Sequence, residues 1–254
     1  LISAAVALLG FSFIYLLLKR FPDKGIVEIF DIAFGRVVGF IISCILGLYM
    51  LFITVARTSE LSGFLRVYVA PQSPNWFIIG IFVVCIYTLS ILGLESIARL
   101  SKLLIYPLLL GFLVVLLLGA QNYNINNLFP VFGYGLDKIA YNGILRSSVY
   151  GEVIILAIFA KSFQGAEFIK KEGVIGISLS AAIISLSLLC CSLTFPYYIE
   201  QEITSPMYEL STLIDYGRFV QRVEAIFLYV WIMSNFIWIN TLAMKNLLKQ
   251  FMPV

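Results

Sequence analysis

Histidine is absent from the 254 residues, and charged residues make up only 12% of them. The missing histidine excludes the site chemistries that depend on it, namely zinc-binding triads, serine–histidine dyads and haem ligation through histidine. A soluble domain usually carries about 25% charged residues, roughly twice the fraction found here. The net charge of +3 is small and does not by itself indicate an anionic partner.

Cysteine is also scarce, and its positions are uninformative for catalysis. Cys44, Cys85, Cys190 and Cys191 all lie inside apolar stretches, and no CxxC pair exists. This pattern predicts small buried apolar side chains rather than a metal or redox site. We therefore expect neither a metal ion nor a cofactor.

Hydrophobic residues, in contrast, make up 61% of the chain and are concentrated in six runs without any charge. Each run has 18 or more residues, enough for a helix to cross a bilayer core about 30 Å thick. Such runs predict an all-α, polytopic membrane helix bundle in contact with the lipid bilayer. They exclude soluble enzymes, nucleic-acid binders, disordered chains and an outer-membrane barrel, whose strands alternate apolar and polar residues. The runs are 1–18, 37–56, 67–94, 103–136, 173–199 and 225–244.

The runs and one weaker segment predict a single transmembrane domain, 1–254, with seven spans. The weaker segment has only eight consecutive uncharged residues, Val153–Ala160. Extending it back to residue 139 places Arg146 and Glu152 towards membrane depth, which is tolerable only where a helix breaks beside a protected cavity. The predicted helices are 1–19, 37–69, 76–94, 103–120, 139–161 (broken), 173–196 and 222–244.

The charge distribution predicts an orientation. Seven spans place eleven of the 17 lysines and arginines on one side, which is cytoplasmic by the positive-inside rule. The first helix then begins outside and ends inside at Lys19-Arg20. A chain that begins outside, on leucine, predicts at least one helix upstream, so we expect a fragment. The other side receives Arg57, Arg66, Lys138, Arg146, Arg218 and Arg222.

The broken segment is the most informative part of the sequence. Ser147, Ser148, Tyr150, Gly151 and Glu152 lie within six residues of each other. Glycine weakens a helix, serines can satisfy freed backbone groups, and an intramembrane carboxylate is a functional candidate by default. Short, glycine-interrupted spans are typical of transporter binding sites, where open helix ends offer partial charges to a zwitterionic ligand. The alternative is a re-entrant or misplaced loop.

Two pairs of opposite charges lie near the outer ends of their helices. Arg57 and Glu60 are three residues apart and can pair on a helix surface. Arg222 and Glu224 stand at the entry of the last helix. A local structural ion pair is the expected role of the first, whereas the second is equally compatible with a gate.

Two helices carry patterned faces. Gly35, Gly39, Ser43 and Gly47 recur every four residues, which predicts close helix packing, with a substrate path as the minority interpretation. In the last helix, residues 231, 234, 235 and 238 form one polar and aromatic face, expected to meet other helices.

Two outer loops carry no recognisable catalytic or metal motif. The first, 121–127, is rich in asparagine and glutamine. The second begins at Ser205-Pro206, a plausible helix start, followed by Met207, Leu210, Leu213 and Ile214 on one face, which predicts a short interfacial helix.

Several short strings follow one another in the order and spacing of a known family. They are Phe34-Gly35-Arg36-Val-Val-Gly39, Arg57-Thr-Ser-Glu60, Gly93-Leu94 with Arg99-Leu100, Asn126-Asn127-Leu128-Phe-Pro130-Val131 with Gly133-x-Gly135, Tyr150-Gly151-Glu152, and Arg222-x-Glu224 followed by Trp231. With these, the chain resembles the B subunit of bacterial spore germinant receptors over nearly its whole length. That family belongs to the amino acid–polyamine–organocation transporter superfamily.

The resemblance implies a leucine-transporter-like fold of two inverted five-helix repeats, of which this chain would hold the second to eighth helices. The segment 139–161 would be the broken sixth helix, with Ser148, Tyr150, Gly151 and Glu152 at the superfamily's ligand-binding break. The third and eighth helices would complete the pocket, with Tyr49, Thr54, Trp231 and Asn235 as candidates.

The implied function is a germinant-receptor subunit that binds a small nutrient, with an amino acid expected. The implied partners are a large membrane subunit and a lipoprotein, and the implied location is the inner membrane of a bacterial endospore. The alternative is a proton- or sodium-coupled amino acid transporter that works by alternating access. A water or ion pathway is a third possibility, and a membrane enzyme is the least expected.

Overall fold

The computed structural model describes residues 2–21, 24–129, 135–158, 165–200, 202–217 and 222–242. Every regular element in these ranges is a helix, which confirms the predicted all-α class. Within them, four helices are long and apolar enough to cross a bilayer: Ile2–Arg20, Arg36–Tyr68, Glu95–Asn122 and Glu167–Thr194. The chain therefore has the architecture of a polytopic membrane bundle.

Eleven α-helices can be labelled in these ranges, and three short 3-10 segments accompany them. The 3-10 segments are Gly119–Asn122, Ile125–Leu128 and Arg146–Val153. The α-helices are α1 (Ile2–Arg20), α2 (Ile26–Phe34), α3 (Arg36–Tyr68), α4 (Asn75–Leu92), α5 (Leu94–Leu118), α6 (Leu136–Leu145), α7 (Ile154–Ile158), α8 (Ala166–Thr194), α9 (Tyr197–Glu200), α10 (Pro206–Thr212) and α11 (Glu224–Leu242).

Two helices begin earlier than the uncharged runs predicted. α5 begins at Leu94 rather than 103, and α8 begins at Ala166 rather than 173. Hydropathy marks only the apolar part of a helix, whereas the backbone hydrogen bonds continue through charged residues. On α5, an ion pair of 2.5 Å between Arg99 and Glu95, four residues apart, favours this extension.

The helix α2 was not predicted. It has nine residues, too few for a span, and Glu28 and Asp31 interrupt its apolar residues.

Besides the four long apolar helices, the seven predicted spans include α4, α11 and the segment from α6 to α7. One of these, α4, contributes a shorter apolar helix, Asn75–Leu89. The count of seven stays a prediction.

The chain divides into two compact units. Unit 1 comprises Leu1–Ile29 and Leu113–Phe227. In it, α1 packs against α8, α6, α7 and the 3-10 segment Arg146–Val153, and α10 packs against α8. Phe11 and Ile158 are among its most deeply buried side chains.

Unit 2 comprises Phe30–Phe112 and Leu228–Val254. Here α3 packs against α4. A buried apolar cluster joins these two helices to α11 and includes Leu61, Phe82 and Ile239. The same cluster is flanked by partly buried residues of α11, which are Ile232, Phe236 and Trp238.

Two glycines shape the corner between α2 and α3. Gly35 has φ of 82°, in the left-handed region that favours glycine, and lies just before α3. A Cβ on Gly39 would lie 2.7 Å from the backbone N and Cα of Asp31, so the backbone of α2 lies directly on α3. The predicted stripe needs correction at Gly35, which precedes the helix, whereas the contact of Gly39 with the backbone of α2 agrees with the predicted close helix packing.

The predicted interfacial helix forms as α10, with Pro206 in its first turn. Leu210 and Ile214 are buried inside unit 1 rather than presented to lipid, whereas Leu213 is 48% exposed. Leu210 lies close to Gly119, where a Cβ would lie 2.9 Å from the leucine Cδ2, and α10 also packs against α8. This helix thus packs on the protein.

Candidate functional site

The helical path of unit 1 changes geometry at residues 146–153. The α-helix α6 ends at Leu145, the next eight residues, Arg146–Val153, form a 3-10 helix, and α7 follows. A 3-10 helix has poorer hydrogen-bond geometry than an α-helix and is rarely longer than three or four residues. An eight-residue 3-10 segment between two α-helices is therefore an unusual local structure.

Two serines favour the change from α-helix to 3-10 helix at the start of the segment. Ser147 Oγ donates a hydrogen bond of 2.6 Å to the carbonyl of Ile144, and Ser148 Oγ donates one of 3.3 Å to the carbonyl of Leu145. Both carbonyls belong to the last turn of α6, where carbonyl groups have no N–H partner within the α-helix. Serine side chains that bond back in this way compete with α-helical hydrogen bonds.

Neighbouring helices hold the segment on both sides. Before it, Ser3 Oγ of α1 donates a 2.7 Å hydrogen bond to the carbonyl of Gly143, and a Cβ on Gly143 would lie 2.9 Å from that of Ile2. After it, Ala157 and Ile158 of α7 are fully buried. The 3-10 segment therefore connects two anchored ends.

One side of the segment is open, while α1 packs against it. Ser148 and Gly151 are exposed, and Ser147 and Tyr150 are half-buried. A Cβ on Gly151 would meet no atom within 4 Å. The segment therefore presents a hydroxyl, a phenol ring and an uncovered stretch of backbone side by side. The backbone of Glu152 belongs to the segment, but its side chain lies outside the described part of the structure.

The other predicted ligand-binding residues lie in unit 2. Tyr49 is 52% exposed. Thr54 Oγ1 donates to the carbonyl of Met50 at 2.8 Å, and Asn235 Nδ2 donates to the carbonyl of Trp231 at 2.8 Å, so both side chains bond to their own helices. The predicted residues thus form two groups, one in each unit.

The two predicted ion pairs differ in geometry. Arg57 Nη1 lies 3.0 Å from Glu60 Oε2, and the Arg57 guanidinium lies 5.1 Å from the centre of the Trp238 ring. Arg222 Nε lies 3.6 Å from Glu224 Oε1, and Arg222 has φ of 64°, which a non-glycine residue rarely adopts. Pairs as exposed as the first contribute at most about 1 kcal/mol.

The packed surface of α11 is wider than the predicted face. Trp238 packs against the apolar cluster of unit 2, and the ring of Trp231, 37% exposed, lies 5.8 Å from the ring of Phe64 on α3. Both contacts agree with the prediction that this face meets other helices, whereas Ser234 is exposed. The polar pattern did not mark the apolar residues that also pack in the cluster, which are Ile232, Phe236 and Ile239.

Two polar side chains of unit 2 are almost completely buried. Asn240 is 0% exposed and Ser43 is 2% exposed. Asn240 Nδ2 donates to the carbonyl of Phe236, but its Oδ1, like Ser43 Oγ, has no hydrogen-bond partner among the described residues. The burial of Ser43 agrees with the close packing predicted for the stripe of small residues, whereas Asn240 was missed because a single polar residue in an apolar helix does not indicate burial.

The amide-rich loop has a structural role that its composition does not reveal. Asn127 Nδ2 donates to the carbonyls of Leu193 and Thr194 at 3.0 and 3.1 Å, and the backbone N–H of Asn124 donates to Leu193 at 2.9 Å. These bonds satisfy carbonyls at the C-terminal end of α8.

The same loop contains Tyr123. Burial raises the pKa of its hydroxyl group, and the nearby thiol of Cys190 raises it further.

The described residues contain no cluster of three or more histidine, cysteine, aspartate or glutamate side chains placed to hold a metal ion. What the 3-10 segment can offer a ligand is hydrogen bonding and ring contact. That chemistry is suited to binding a small polar molecule.

Comparison with known proteins gives the context. A family model described as "Spore germination protein" matches residues 1–249. "Spore germination protein A2" of Bacillus subtilis (strain 168) is 23% identical over 257 residues, which cover 95% of this chain and 69% of the relative. "Spore germination protein YndE" of the same organism is 24% identical, covering 93% and 65%.

A further relative, "Spore germination protein XB" of Bacillus anthracis, is 23% identical, covering 82% of this chain and 58% of the relative. The chain thus spans roughly two thirds of the length of these relatives. No solved structure matches it.

Proposed function

Because the chain belongs to the spore germination protein family, we propose that it is the permease-like membrane subunit of a germinant receptor. Its ligand is a small nutrient, with an amino acid as the expected class. It acts in the inner membrane of the endospore, together with a large membrane subunit and a lipoprotein. The fold proposed for the whole protein is two inverted five-helix repeats.

The observation that supports a binding site is the open 3-10 segment, Arg146–Val153. Its two ends are anchored by α1 and α7, while the space beside Gly151 is empty. An interrupted span with uncovered backbone is the usual place for a polar ligand in transporter-like folds. Ser147, Ser148, Tyr150, Gly151 and Glu152 are the proposed contacts.

The candidates on α3 and α11 are proposed to complete the pocket in the whole protein. Tyr49 and Trp231 offer rings, and Thr54 and Asn235 offer polar atoms. Their own-helix hydrogen bonds do not prevent this, since a hydroxyl or amide oxygen can accept a second hydrogen bond.

Binding becomes a signal only if the nutrient prefers one conformation of the receptor. A ligand with equal affinity for two states shifts nothing, however tightly it binds. The proposal therefore requires the segment to change its geometry between the resting and triggered states.

The test uses the full-length gene in dormant spores. Gly151→Leu fills the space beside the segment, and we expect the nutrient concentration for half-maximal germination to rise at least tenfold. Gly176→Leu is the matched control, because Gly176 is also exposed, also has no atom within 4 Å of a Cβ, and lies on α8 of the same unit. A wild-type dose response in Gly151→Leu, with equal protein levels, would show that the nutrient binds elsewhere.

The same interrupted segment also supports a coupled amino acid transporter, with Glu152 as a protonatable coupling group. Uptake of labelled amino acid into proteoliposomes, with and without a proton gradient, separates the two functions. Flux that depends on the gradient and is lost in Glu152→Gln supports transport. Binding without flux supports sensing. Release of ions or water is recorded in the same vesicles, because the break could also form their pathway.

A further inference from the structure

Two lysines from different helices converge on one tyrosine ring at one end of unit 1. Lys19 Nζ, from the last turn of α1, lies 5.9 Å from the centre of the Tyr15 ring. Lys170 Nζ, from the first turns of α8, lies 5.1 Å from the same centre. Lys19 and Lys170, which are 151 positions apart in the sequence, thus meet at one site.

Contacts between α1 and α8 hold Tyr15 in its position. Tyr15 is 8% exposed, and its hydroxyl donates a 2.5 Å hydrogen bond to Glu167 Oε1 of α8. One turn earlier, Phe11 packs against Gly173, so α1 and α8 lie antiparallel in close contact. The ring therefore cannot move away from the lysines without unpacking the two helices.

The site carries excess positive charge. Arg20 and Lys171, which follow these lysines in the sequence, are also exposed, and we call the four residues the basic corner. Within α1 and α8, the acidic residues near it in sequence are Glu167 and Glu172. Glu167 lies 3.7 Å from Lys19, yet the side chains of that pair remain 72% and 62% exposed. Four cations against two carboxylates leave a positive surplus open to solvent.

The corner lies where headgroups of a bilayer would lie. It is formed by the end of one candidate span, Ile2–Arg20, and the start of another, Glu167–Thr194. Basic residues at the cytoplasmic ends of spans meet the anionic leaflet, and basic sites between spans bind anionic headgroups. The charge distribution of the sequence assigns this end to the cytoplasmic side.

We propose that the basic corner binds the phosphate of an anionic phospholipid from the cytoplasmic leaflet. The two lysines contact the phosphate, and Arg20 and Lys171 contribute to the local potential. The ring of Tyr15 holds both lysine side chains in place through cation–π contacts. A zwitterionic lipid is disfavoured, because its own cation would face this surplus of positive charge.

The test uses the purified full-length protein in mixed micelles of phosphatidylglycerol and phosphatidylcholine at equal concentrations. Native mass spectrometry counts the lipids that stay bound. We expect preferential retention of phosphatidylglycerol by the wild type, and a loss of about tenfold in its association constant in the double variant Lys19→Gln/Lys170→Gln. Lys19→Arg/Lys170→Arg keeps the charge and should keep the lipid.

The matched control is Arg36→Gln/Lys102→Gln. These two exposed cations are predicted to lie on the same side of the membrane but belong to unit 2. An equal loss in this control would overturn the proposal, because it would mean a diffuse charge effect. The same holds if the wild type shows no preference for phosphatidylglycerol.

A separate arm tests whether the corner takes free phosphate instead. Inorganic phosphate is added to the same micelles in large excess over the lipid, and we expect phosphatidylglycerol retention to stay unchanged. Displacement of the lipid by inorganic phosphate would show that the corner is an anion site without lipid specificity and would overturn the assignment to phospholipid.

Discussion

The contact between Gly173 of α8 and Phe11 of α1 makes a strong prediction about stability. A Cβ on Gly173 would lie 2.6 and 2.7 Å from two carbons of the Phe11 ring, and closer still to a third. Gly176, one turn later on α8, would place its Cβ in open space. Gly173→Ala and Gly176→Ala therefore make the same chemical change on one helix, with and without a steric conflict.

The magnitude follows from the overlap. Carbon atoms pack best at about 3.5–4.0 Å, so the ring or the helix must shift by more than about 1 Å. Phe11 is 2% exposed and has little room to rotate away. Overpacking of this kind costs about 1–3 kcal/mol. The gain in helix propensity from glycine to alanine, about 1 kcal/mol, is common to both variants and cancels in their difference.

The assay is thermal unfolding of the full-length protein in one detergent, followed by intrinsic fluorescence. We expect Gly173→Ala to unfold several degrees below Gly176→Ala, since about 1 kcal/mol corresponds to roughly 2–4 °C for a chain of this size. Phe11→Leu, added to Gly173→Ala, should recover much of the loss because it removes ring atoms. The coupling between the two positions then measures the contact itself.

Two results would refute this reasoning. Equal unfolding temperatures for the two glycine variants would mean that α1 and α8 are not in close contact at Gly173. Additive effects of Phe11→Leu and Gly173→Ala would mean that the loss arises elsewhere.

Three further changes test other contacts by the same unfolding assay. Gly39→Ala should lower stability by about 1–3 kcal/mol relative to Gly63→Ala, because only the first pushes against the backbone of α2; no difference would exclude that close approach. Asn127→Ala should cost about 1–2 kcal/mol, as two hydrogen bonds to the end of α8 are lost, and unchanged stability would contradict the capping role. Asn240→Leu should leave stability unchanged or raise it, because an unpartnered buried oxygen is removed; a large loss would mean that this oxygen has a partner in the whole protein.

The helical class could be predicted because uncharged runs of such length have few alternatives. The helix ends could not, since α5 and α8 continue through charged residues that hydropathy counts against them. The helix α2 was missed because nine residues with two acids give neither a span nor a long periodic pattern.

The site was harder to predict than the helices. Ser147, Ser148 and Gly151 are local signals, because serine and glycine weaken an α-helix whatever surrounds them. The structure has a 3-10 segment at these residues, and its role in ligand binding stays a prediction. The burial of Ile239 and of Asn240 depends on neighbouring helices, which no local pattern encodes.

The packing of α1 has a mechanical consequence. This helix contacts α8 along one side and the 3-10 segment along another. Phe11 of α1 packs so closely on Gly173 of α8 that no gap remains between the two helices there. Tightly packed interiors have low compressibility and transmit strain rather than absorb it. We therefore expect a displacement that begins at Arg146–Val153 to move α1 and α8 together. A fluorescent reporter attached at the far end of either helix would register the same event.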